Sequence, residues 1–99
     1  MSGQAQGLDL SKILEKPEYK PLKNAYDNLS LVRDILSNAE EVQYLGEFKK
    51  LQYYLVKAVD ASTGGRIAWI VRVAKNGYLK SATSIPYSMW KKLAEALSH

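Results

Sequence analysis

Apolar positions along this 99-residue chain change their period once, dividing it into a helical half and an extended half. Leu10, Ile13 and Leu14 recur at helical spacing after Asp9, a capping type, and Pro17 stops the run, so a first helix is expected within 8–16. Glu18-Tyr19-Lys20-Pro21 reads as an extended connector, because the residue before a proline is pushed out of the helical region. Pro21 suits the first turn of a longer helix. Leu22, Ala25, Tyr26, Leu29, Val32, Ile35 and Leu36 then form one stripe at spacings of three and four, ending at Asn38. Lys23, Asp27, Ser30, Arg33, Asp34 and Ser37 take its other side.

The second half is extended. Val42 to Leu45 reads as a short strand with Gly46 as a turn, and Leu51 to Val59 as a strand without a breaker. Asp60 to Gly65 is a loop by composition. Arg66 to Lys75 and Tyr78 to Ile85 are strands joined by Asn76-Gly77, a pair that tolerates the positive φ of a two-residue type I′ turn. Pro86 breaks the last strand. Ser88 or Ser84 then caps a final helix that buries Met89, Trp90, Leu93 and Leu97. Met1 to Gly7 is small and polar and reads as a disordered tail, leaving 8–99 as a single domain. The order α-α-β-β-β-β-α predicts an α+β fold: N-terminal helices on one face of an antiparallel sheet of about four strands, with a closing C-terminal helix.

Counting outward from Asn76-Gly77 sets Lys75 against Tyr78, Val73 against Lys80, Arg72 against Ser81 and Ile70 against Thr83. A symmetric 60–65 loop sets Val59 against Arg66 and Tyr53 against Arg72. Alternation then separates two faces. Tyr54, Val56, Ala58, Ile67, Trp69, Val71, Val73 and Ala82 form the face that packs on the helices. Tyr53, Leu55, Lys57, Arg66, Ala68, Ile70, Arg72, Leu79, Ser81 and Thr83 form a mixed, open face, with Tyr53, Arg72 and Ser81 in a row across three strands.

Composition narrows the chemistry. The absence of cysteine excludes a disulfide framework and a thiol nucleophile. A lone histidine, His99 at the last position, excludes zinc sites built on several histidines and argues against a serine enzyme with a histidine base, and neither metal nor cofactor is expected. No apolar run reaches the roughly 18–20 residues of a membrane span, and nothing resembles a secretory signal, so a cytoplasmic protein without membrane contact is expected. Residues 1–47 carry five Lys/Arg against eight Asp/Glu, whereas 48–99 carry nine against two. A basic half of this kind favours an anionic partner, nucleic acid or an acidic protein surface.

The candidate site follows from the register. An arginine beside hydroxyls on a sheet suits phosphate, through the fork and charge of guanidinium. Arg66, Arg72, Lys80, Ser81 and Thr83 are therefore the expected nucleic-acid-binding residues. The competing expectation is that Arg72 and Ser81 form a solvated cross-strand pair worth a few tenths of a kcal/mol. Tyr53 and Tyr78 offer faces on which bases stack, although tyrosine is also a favoured strand residue. Trp69 and Trp90 read as core. Glu40-Glu41 reads as a solvated corner, and Ser62-Thr63-Gly64-Gly65 lacks the spacing of a phosphate loop.

Ile35-Leu36-Ser37-Asn38-Ala39-Glu40-Glu41-Val42 resembles the helix-to-strand junction Ile-Leu-x-Asn-Pro-acidic-x-Val of the phage-borne barnase-, colicin- and RelE-like RNase superfamily, with Ala39 in place of the proline. Leu79-Lys80-Ser81-Ala82-Thr83 is similar to that pattern's final strand. The resemblance spans about residues 16–85 and implies a metal-independent RNase-like toxin, or a catalytically silent relative, of phage or mobile-element origin. It implies that Arg72 stabilises charge, that Ser81 or Thr83 holds phosphate, and that Lys57 or Tyr53 assists proton transfer. The pattern often sets a histidine beside its early lysine, whereas Lys16 and Lys20 have none. The alternative expectation is a protein-binding inhibitor or adaptor module. Convergence of Lys57, Arg66, Arg72 and Lys80 on one concave surface would favour nucleic acid; their scattering together with a flat, apolar free surface would favour a protein partner.

Overall fold

The computed structural model describes residues 8–60 and 62–97, the side chains at 87, 90, 93, 94 and 97 apart. The expected tail 1–7, His99 and the burial of Trp90, Leu93 and Leu97 lie outside the described residues. The fold is α+β, with helices N-terminal to an antiparallel four-stranded meander. The elements are α1 (Leu10–Leu14), a 3-10 turn (Pro17–Tyr19), α2 (Lys20–Asn28), α3 (Ser30–Ser37), β1 (Ala39–Phe48), β2 (Leu51–Val59), β3 (Arg66–Ala74), β4 (Leu79–Pro86) and α4 (Tyr87–Leu97). Sheet order is β1-β2-β3-β4.

Two local expectations in the helical half are corrected. Residues 18–21 are not extended: the 3-10 turn runs directly into α2, and Lys20 is helical (φ −57°, ψ −44°) despite preceding Pro21. The long helix is two. Leu29 is extended (φ −126°, ψ 117°), and the Asn28 amide donates to the Asn24 carbonyl at 2.8 Å, the kind of side-chain bond that competes with helical continuation. Arg33 Nη1 donates to the carbonyls of Tyr26 (3.1 Å) and Asp27 (3.2 Å), which lie in the last turn of α2, where helical partners run out. The bend leaves Leu31 exposed while Leu22, Ala25, Val32, Ile35 and Leu36 still share one core.

That core lies between the helices and the predicted apolar face: Tyr54, Val56, Val71 and Val73 are buried, with Trp69 and Ala82 packed against them. Three tyrosines meet within it at tilted angles, Tyr44 and Tyr19 lying 5.3 and 5.6 Å from Tyr54 by ring centroid. Burial raises the pKa of the Tyr54 and Tyr19 phenols by disfavouring their charged forms. Each hydroxyl is satisfied. Tyr54 donates to the Glu18 carbonyl (2.7 Å); Tyr19 accepts from Tyr44 N–H (2.8 Å) and donates to the Val42 carbonyl (3.4 Å). Because β1 is an edge strand, those two backbone groups would otherwise invite another strand, and Tyr19 blunts the edge.

The β2–β3 register is as counted, Val59 against Arg66 and Tyr53 against Arg72. Three features of the other strands differ. Gly46 is not a turn: β1 continues through it to Phe48, and its positive φ of 117° forms a bulge between the Tyr44–Tyr54 and Gly46–Tyr53 pairs. The two-residue turn with both central residues at positive φ is instead Lys49-Lys50 (52° and 68°). The Asn76-Gly77 turn spans three residues: Gly77 N–H donates to the Ala74 carbonyl, Ala74 N–H donates to the Tyr78 carbonyl, and only Gly77 has positive φ. Val73 therefore faces Leu79 rather than Lys80, so Leu79 belongs to the helix face. A bulge at Lys80 then restores Arg72 against Ser81 and Ile70 against Thr83.

The second face is not open along its length. Leu55, Ala68 and Ile70 are buried there, with Leu45, Tyr53 and Ile85 packed against them. Tyr53, Arg72 and Ser81 are partly exposed toward the end carrying the 49–50 and 75–77 turns, and Thr83 and Arg66 are exposed farther along the face. Met89, expected in the core, is exposed.

Candidate nucleic-acid interface

Arg72 is held at this turn end by its mid-sheet position. Its Nη1 donates to Ser81 Oγ at 3.0 Å, and its guanidinium carbon stands 5.4 Å from the centre of the Tyr53 ring. Its Nε is buried and has no hydrogen-bond partner among the described residues. A buried guanidinium donor without a partner is costly.

Two residues outside the sequence prediction extend this row. Phe48 meets Tyr53 edge to face (6.3 Å, 75°), and Lys49 Nζ lies 5.5 Å from the Phe48 ring centre. Lys49, Phe48, Tyr53, Arg72 and Ser81 thus form an unbroken row in which two adjacent aromatic rings are flanked by a cation on each side. The row borders a cleft of about 390 Å³ lined by Leu45, Gly46, Glu47, Phe48, Tyr53, Ile70 and Arg72. That is an apolar pocket with a few convergent polar groups, of the size that takes a small ligand moiety. Glu47 is among its lining residues; the Glu47 carboxylate accepts from Gln52 Nε2 (3.1 Å) and lies 3.5 Å from Lys75 Nζ, and the Gln52 bond, then Lys75, hold its pKa below the usual range.

The other expected residues do not join the row. Lys57 shares the face but lies four residues from Tyr53 on β2, about 13 Å at the usual strand rise. Arg66 stands six residues from Arg72, about 20 Å, and its Nε is ion-paired with Glu40 at 3.2 Å. Lys80 is the bulged, exposed residue of β4, and Thr83 is exposed two residues beyond Ser81. Tyr78 is exposed on the far side of the turn, next to a cleft shared with Asn28 and Leu29. The four basic residues therefore scatter, and the local concentration is a different set.

Phe48 and the two lysines had a readable signal: Phe48-Lys49-Lys50-Leu51 is a two-residue gap between apolar strand residues. Reading Gly46 as the turn hid it. A second groove of about 330 Å³, between α3 and the sheet, is rimmed by Asp34 and Asp60 and includes no basic residue, so it does not suit phosphate. Among the described residues no helix is long and apolar enough to cross a membrane. Comparison with protein-family models, curated proteins and solved structures finds no match.

Proposed function

We propose that this protein binds nucleic acid, RNA in the first instance, through the turn end of the second sheet face. The observation that carries the reading is the Lys49–Phe48–Tyr53–Arg72–Ser81 row, in which an arginine without a carboxylate partner among the described residues lines a cleft. Cations for phosphate and aromatic faces for bases are the two ingredients of such sites. In this reading α4, which follows β4 at the opposite end of the sheet and runs against β3 and β4, closes over Leu55, Ala68 and Ile70 and leaves the turn end free.

Binding is better supported than cleavage. A phage-borne, cytoplasmic RNase-like toxin would use Arg72 against phosphorane charge, Ser81 with Thr83 on phosphate, and Tyr53 for proton transfer. Lys57 stands too far along β2 to share that step, and cleavage through the 2′-hydroxyl needs both an acid and a base. The inhibitor or adaptor reading is favoured by one observation, the separation of Arg66 and Lys57 from the row. Labelled RNA and DNA incubated with the protein at about 50 and 200 mM salt, scored separately for binding and cleavage, test these readings. Salt-sensitive binding with intact RNA is the expected result. Absence of binding at about 50 mM would overturn the nucleic-acid reading and leave the protein partner.

A further inference from the structure

We infer that the site takes single-stranded rather than duplex nucleic acid, with a base on Phe48 and its flanking phosphates on the Lys49-Lys50 turn and Arg72; this rests on the nucleic-acid reading above and narrows it.

Three observations carry the inference. The first is the exposure of Phe48, 60%, at a strand end where the fold gains little from a phenyl ring. A ring offers a stacking surface, and only a base outside a duplex has a free face to stack on it. The second is the placement of Arg72, itself partly buried, in the lining of the cleft. A recessed cation is reached only by a group that enters the cleft. A duplex carries its phosphates on a stiff convex surface, whereas a single strand can turn a phosphate or a base edge inward.

The third is the turn itself. Lys49 and Lys50 both hold left-handed backbone (φ 52° and 68°), the conformation that two-residue hairpins normally assign to Asn and Gly. Lysine adopts it at a cost in stability, and strain of this kind gathers at functional sites. What the turn gains is two cations immediately beyond Phe48, one of them already against its ring.

The test uses a labelled 12-nucleotide single-stranded RNA and the matching duplex, titrated at several salt concentrations with the parent, Phe48→Leu, and Lys49→Asn/Lys50→Gly. The parent should bind the single strand at least about tenfold more tightly than the duplex. Phe48→Leu should weaken single-strand binding about 5- to 160-fold, the range of one base–aromatic stack, with unchanged thermal stability. Lys49→Asn/Lys50→Gly should melt higher than the parent while its single-strand salt slope falls by about 1.4, two phosphates at about 0.7 each. That pairing, more stable but weaker binding, is not expected of a turn with a purely structural role. Equal affinity for the two forms, or single-strand binding by Phe48→Leu equal to the parent's, would overturn the inference while leaving nucleic-acid binding in place. No binding of either form by the parent would overturn both.

Discussion

Gly77→Ala probes how the β3–β4 turn is seated on the helices. Gly77 is buried with φ +91°, and a Cβ there would overlap the Asn24 Cβ and press on the Asn24 carbonyl carbon (3.1 Å) and the Ala25 nitrogen (3.2 Å). The α2 backbone cannot move aside as a flexible side chain would, because Ala25 is fully buried in the core. Two terms follow: about 1–2 kcal/mol for an L-residue in left-handed conformation and about 1–3 kcal/mol for overpacking. Together they give about 2–5 kcal/mol. Gly64→Ala is the internal control, with φ +75° and nothing within 4 Å of its would-be Cβ, so it should lose only the first term. The gain from stiffening the unfolded chain is similar at the two sites and cancels in the comparison. Urea denaturation should show Gly77→Ala less stable than Gly64→Ala by about 1–3 kcal/mol at equal m. Losses equal within about 0.5 kcal/mol would refute the docking of this turn on α2.

Three further outcomes are expected. Arg33→Met should cost about 0.5–1.5 kcal/mol in urea denaturation, since it removes the exposed bridge to the last α2 carbonyls; no loss would mean that the bend holds without it. Stability should fall as pH rises above about 10, because Tyr54 and Tyr19 stay protonated in the fold while the unfolded phenols ionise. The stability they contribute is fully present below that pH, and Tyr54→Phe should flatten the alkaline limb; an unchanged limb would assign it to other groups. On the acid side, Glu47→Gln should remove part of the stability lost below about pH 4.5, since Gln52 and Lys75 lower the folded carboxyl's pKa and its contribution disappears as that carboxyl is protonated.

The parts of the fold that were legible in the sequence are those where one physical constraint dominates. The β2–β3 register followed from a short loop and from strict alternation, since a slip of one residue would bury Lys57 and Arg72 and expose Tyr54 and Val71. The break at Leu29 was hidden because its apolar stripe continues across it: both helices bury the same side, and only Asn28 and Arg33 mark the joint. Asn76-Gly77 was read as the wrong turn because Gly at positive φ suits both the two-residue form and a three-residue turn with one glycine. The close approach to Asn24 is a tertiary contact that local sequence does not carry. The candidate site was legible at Arg72, Ser81 and Tyr53, which share a register row. At Phe48 and Lys49 the two-residue gap was masked by taking Gly46 as a turn when it is a bulge, and the burial of Leu55, Ala68 and Ile70 on a face expected to be open was not legible.

The central claim is that Arg72 meets a phosphate. Arg72→Met keeps most of the aliphatic stem over Tyr53 and removes the charge, and Lys91→Met, on the exposed side of α4, removes the same charge elsewhere. The measurement is the slope of log affinity against log salt for a single-stranded RNA. Arg72→Met should lower that slope by about 0.7 and weaken binding several-fold, with Lys91→Met close to the parent. Equal effects of the two substitutions would reduce the site to a diffuse basic surface, and an Arg72→Met slope identical to the parent's would contradict the claim.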